Sequence, residues 1–121
     1  MNSMLFRFQN MDIWQRGAAI SAPIFQLADK LEQNHLYRFA EQLPAAILSV
    51  TNNIAEGSGS TSDAEFAQFL NIARRSVFEV ANMLLMFHQF GICREEEVSA
   101  PLCELDQLSL MILAFRRTLK T

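Results

Sequence analysis

The fold turns on Asn53–Phe66, "NIAEGSGSTSDAEF", where glycines and serines separate two apolar segments. Such a stretch can cradle a phosphate, present a catalytic serine, or turn the corner between two helices. It lacks the Gly-Lys-Ser/Thr ending of a P-loop and the glycine spacing that follows a strand in dinucleotide-binding folds. Asp63 and Glu65 stand at the start of the next apolar segment, where they would repel an anion. A nucleophile elbow needs a preceding strand, and the residues before Asn53 have helical periodicity. Gly57 sits where a helix end favours a residue tolerant of left-handed backbone. Ser62 and Glu65 match a capping box that opens a new helix. The stretch reads as a corner.

Apolar residues on either side recur every three or four positions, the signature of helices. Upstream, Leu36, Phe39, Leu43, Ala46, Ile47, Val50 and Ile54 mark a helix over 35–56, in which Pro44 predicts a bend or short non-helical step. Downstream, Phe66, Phe69, Leu70, Ala73, Val77, Val80, Leu84 and Phe87 mark a helix over 62–90 that stops at Gly91. A first helix over 12–31 has Asp12 as N-cap, the stripe Ile13, Ile20, Ile24, Leu27 and Leu31, and a kink at Pro23. A last helix over 95–119 begins at Glu95, Glu96 and Glu97 and ends at Arg116 and Arg117, charges that suit its dipole. Its inner stripe is Val98, Leu102, Leu105, Ile112, Phe115 and Leu119. The expected fold is all-α, one domain over 1–121, an antiparallel up-down-up-down four-helix bundle.

These helices hold more apolar surface than one bundle core can take. Half of the 121 residues are hydrophobic, and the mean hydropathy of +0.10 is high for so small a chain. On the third helix Ile72, Phe78, Met83, Leu85, Met86 and Phe90 fall outside the stripe. On the fourth, Leu108, Leu110, Met111 and Leu113 widen it. Phe78, Leu85, Met86 and Leu110 are therefore candidates for a subunit interface. No uninterrupted apolar run nears the roughly 20 residues of a membrane span, and the first residues lack the pattern of a signal peptide. A cytoplasmic protein with no membrane partner is expected. Cys93 and Cys103 form no framework pattern and read as reduced thiols.

Catalytic chemistry finds little to work with. His35 and His88 have neither the spacing nor the acidic partners of a metal site, and no paired Glu-x-x-His motif supports a di-iron centre. No cofactor, metal or catalytic residue is assigned. Glu56 and Glu79 read as structural acceptors. The formal net charge of −3 argues against bulk attraction to nucleic acid. Arg74, Arg75, Arg116 and Arg117 nevertheless come as two pairs that could form a charged collar in a ring of subunits.

The run "QLPAAILSVTNNIAEGSG" (Gln42–Gly59) followed by "EFAQFLNIARRSVFEVANML" (Glu65–Leu84) resembles the ribosomal RNA intervening-sequence proteins. One family block appears here as Ser49, Asn53, Ile54, Ala55, Glu56 and Gly57, the second as Phe66, Phe69, Leu70, Ala73, Ser76 and Glu79. "MDIWQRGAAI" resembles the opening helix of that family and Leu108–Leu119 its closing one. The resemblance implies a cytosolic four-helix bundle, commonly a ring-shaped homopentamer without enzymatic activity. A related branch comprises the accessory variability proteins of diversity-generating retroelements, which bind a reverse transcriptase and nucleic acid. It also makes Ser49, Asn53, Glu56, Gly57, Ser76 and Glu79 the signature residues. Our physical reading is that Asn53, Glu56 and Glu79 lock the second helix against the third. The chain departs from the family in having Pro44–Ala45 where relatives commonly carry two arginines, and its serine-rich loop lacks theirs. The leading expectation is a homo-oligomeric scaffold or adaptor for a protein partner, and the alternative a nucleic-acid-binding accessory that uses the arginine pairs.

Overall fold

Residues 4–121 are described by a computed structural model of the chain, and among them no residue forms a strand. A short 3-10 turn, Arg7–Asn10, leads into four helices: α1 Asp12–Gln33, α2 Tyr37–Ser58, α3 Asp63–Gln89 and α4 Glu95–Arg117. Each packs on its neighbours in the chain, α1 also packs on α4, and the diagonal pairs do not meet. The result is an antiparallel bundle with four flanks. Their stripes fill its centre: Ile20, Ile24 and Leu31 from α1; Leu43, Ile47 and Ile54 from α2; Leu70 and Leu84 from α3; Leu105, Leu108 and Ile112 from α4.

Several helix ends differ from expectation. Met11, in extended conformation, is the N-cap of α1, and Asp12 is its first helical residue, where its charge still suits the positive end. α2 begins at Tyr37 because His35 takes the left-handed conformation, φ 64°. There the His35 amide donates to the Glu32 carbonyl and the Leu36 amide to Leu31, closing a Schellman motif. α3 ends the same way: Gly91 has φ 75°, its amide donates to His88, and Ile92 donates to Phe87. Of the capping box at α3 only one arm forms, the Glu65 amide donating to Ser62 Oγ at 3.2 Å. The Glu65 carboxylate accepts a long bond from Ser60 instead.

Neither Pro23 nor Pro44 interrupts its helix, and Pro101 lies inside α4 in the same way. The short non-helical step expected at Pro44 is absent. An interior proline costs ~3 kcal/mol, whereas burying side chains such as Leu43 and Ile47 beside it returns roughly 1.5–3 kcal/mol each. Packing wins.

α4 is, by length and composition, apolar enough to cross a membrane, despite its lack of an unbroken apolar run. In the fold it lies against α1 and α3 with Val98, Leu105, Leu108 and Ile112 buried. Leu108 is thus a core residue, not surplus surface. Its spacing from Leu105 and Ile112 already puts it on the inner stripe. Both cysteines are free; Cys103 is exposed, and burial pushes the Cys93 thiol pKa up.

Candidate functional site

The signature residues of the corner collect where α2 meets α3. Asn53 Nδ2 donates to Ser49 Oγ at 3.1 Å and to the Ser49 carbonyl at 2.7 Å. The Ser49 and Ser76 hydroxyls are 2.8 Å apart, and Ser76 Oγ donates onward to the Ile72 carbonyl at 3.1 Å. Each hydroxyl has one proton, so the polarity runs one way: Asn53 to Ser49, Ser49 to Ser76, Ser76 to Ile72. This relay is the polar lock between the two helices. Glu56 and Glu79, expected to share that role, are both exposed and accept no side-chain hydrogen bond or ion pair among the described residues. Their carboxylates stay in water, and the serine pair bridges the helices.

Gly57 serves the same junction differently from expectation. It is helical and buried, not left-handed. A Cβ there would stand 2.7 Å from Phe69 Cβ and 2.8 Å from Phe66 Cδ1. Glycine is required by close approach of α3.

The arginine pairs divide. Arg74 Nε donates to the Ser109 carbonyl at 3.1 Å, and its guanidinium lies 5.0 Å from the centre of the Phe78 ring. Arg116 Nε donates to the Ala67 carbonyl at 3.1 Å. Both are half-buried staples between α3 and α4, a role the sequence did not signal. Arg75 and Arg117 are exposed. The four therefore form no common collar within one protomer. Among the described residues no three His, Cys, Asp or Glu side chains cluster as around a metal ion.

The candidate interface residues are all exposed: Phe78 by 55%, Leu85 by 50%, Leu110 by 56% and Met86 by 37%. Phe78 and Leu85, seven residues apart, follow one line of α3, on the side from which Arg74 reaches α4. Met86 follows another line with Ile72 and Glu79, toward α2, so the four do not form one patch. A shallow groove of about 210 Å³ beside Phe78 is lined by Val77, Ala81, Leu102 and Leu105 among others. Sequence periodicity also missed other exposed apolar residues, among them Phe25 on α1 and Leu48 on α2. Each of these two directly follows a core residue, Ile24 and Ile47, so its apolar side chain reads as part of the neighbouring stripe.

One further polar contact joins the first helix to the last. Lys30 pairs with the Glu97 carboxylate, which also accepts the Arg94 amide at 2.8 Å at the start of α4. The Arg94 bond and then Lys30 pull the Glu97 pKa down to about 2.

Compared with known proteins, residues 9–114 match the family model described as 23S rRNA-intervening sequence protein. No curated protein matches the chain.

Proposed function

From the premise that this chain belongs to the 23S rRNA-intervening sequence protein family, we propose that it is a non-enzymatic, cytoplasmic homo-oligomer, a ring-shaped homopentamer, that serves as a scaffold for a protein partner. The observation that carries this reading is the row of large apolar side chains left uncovered on α3 and α4: Phe78, Leu85 and Leu110. A second copy would withdraw them from water at roughly 25 cal/mol per Å² of apolar surface. The α2–α3 flank, where Glu56 and Glu79 stand unengaged beside exposed Ile72 and Met86, is the mixed surface such a scaffold offers a partner. With Arg74 and Arg116 occupied as staples, no observation favours the nucleic-acid alternative.

Light scattering at micromolar concentration tests the reading. We expect a particle several times the 13.8 kDa of one chain; a particle of protomer mass overturns it. Replacing Phe78 or Leu85 with Asp should dissociate the assembly while helicity by circular dichroism is retained, because an unpaired carboxylate in a dry interface costs several kcal/mol.

A further inference from the structure

On the α2 side of α3, acid and apolar residues alternate every seventh position: Glu65, Ile72, Glu79 and Met86, all exposed. A seven-residue line drifts only about 20° per step around a helix, so these four form one seam ~32 Å long. Ser76 lies one turn from both Ile72 and Glu79, and its bond to Ser49 turns that side toward α2. The same bond sets what α2 places along the seam. Ala45 and Ser49, both short, flank the level of Glu79 and leave the middle of the seam clear. Glu56 adds a carboxylate between the levels of Glu65 and Ile72, and Arg38 a base at the Met86 end. Glu56, Glu65 and Glu79 take part in no ion pair among the described residues, although Arg75 stands one turn before Glu79.

We infer that this seam receives a helix of the protein partner, one that carries basic and apolar residues in turn at seven-residue spacing. The inference rests on the scaffold reading above and names the chemistry of the partner. A seven-residue repeat lets two helices stay in register over many turns, each winding slightly about the other. Lys or Arg opposite Glu65 and Glu79 pairs with carboxylates that no other cation engages. Leu or Met opposite Ile72 and Met86 leaves water together with them. The same charges turn other occupants away. Nucleic acid and anionic lipid meet like charge at Glu56, Glu65 and Glu79. A second copy seated seam to seam sets each carboxylate against its like, or buries it unpaired on Ile72 or Met86.

Three labelled synthetic helices of about 22 residues, the length of the seam, serve as probes for the full chain. The first has an alanine–glutamine frame with Lys and Leu alternating every seventh position. The second carries Glu for Lys, and the third has the residues of the first in scrambled order. Fluorescence anisotropy should show saturable binding of the first in the micromolar to millimolar range, and roughly tenfold weaker binding of the other two. Glu79→Lys should shift the preference toward the Glu probe, and Ile72→Ser with Met86→Ser should weaken the Lys probe. Equal binding of all three, binding of none, or an unchanged preference in Glu79→Lys overturns the inference. Should Glu79→Lys fail to fold by circular dichroism, Glu65→Lys asks the same of the same seam. Light scattering on these samples reads the assembly separately. A particle of protomer mass that still sorts the probes removes the homo-oligomer and keeps the seam. A particle whose mass changes with Glu79→Lys shows that copies of the chain hold the seam, and overturns the proposal.

Discussion

At Gly57 the backbone of α2 comes so near α3 that a methyl group would stand 2.7 Å from Phe69 Cβ and 2.8 Å from Phe66 Cδ1. Phe66 is almost wholly buried and cannot swing away. Gly57→Ala should therefore destabilise the protein by ~1–3 kcal/mol through overpacking, although alanine is the better helix former by about 1 kcal/mol. Urea denaturation would show the lower midpoint. One turn earlier the Asn53–Ser49–Ser76 relay makes a smaller contribution. Ser49→Ala removes its middle hydroxyl and should cost ~0.5–1.5 kcal/mol, while Glu56→Gln and Glu79→Gln, altering exposed groups, should stay within ~0.5 kcal/mol of the parent. Thermal melts of the three variants separate bonded from unbonded signature residues.

The helices themselves were legible because burial repeats with the helical period, and that pattern survives even interior prolines. Their ends were less so. Gly91 announces the left-handed turn after α3, but His35 makes the same turn after α1 with a side chain that gives no such notice. The two Schellman turns predict opposite responses. Gly91→Ala should lose ~1 kcal/mol, since alanine is strained at positive φ. His35→Gly should gain about 0.5–1 kcal/mol by relieving that strain, less the entropy of glycine in the unfolded chain. Equilibrium unfolding measures both. At the start of α4 the sequence suggested three glutamates serving the helix dipole, yet only Glu97 makes the link to α1 through Lys30. Its pKa falls from 4.5 to about 2 on folding, so its contribution is complete above pH 4.5 and fades as the pH drops toward 2. The stability difference between the parent and Glu97→Gln should accordingly shrink across that window in urea titrations at stepped pH.

For the whole molecule, the surplus of apolar residues could be counted in the sequence but not located. Leu108, counted as surplus, fills the core; Phe25 and Leu48, counted in neither group, lie outside. Periodicity assigns a side chain to the inner or outer half of one helix. Whether the outer half is covered depends on where its neighbours stand, which no single helix records. The corners between helices are short, at 34–36, 59–62 and 90–94, and so nearly every helix packs on the one that precedes or follows it in the chain. The search for native contacts is consequently local, and topologies of that kind reach the native state in roughly microseconds to milliseconds. In the homo-oligomer proposed above, encounters between copies would take longer and depend on how many are present. Refolding should thus show a fast burst of helicity indifferent to dilution, followed by a slower burial of Phe78 whose rate rises with protein concentration. Each chain would be finished before it meets its neighbour.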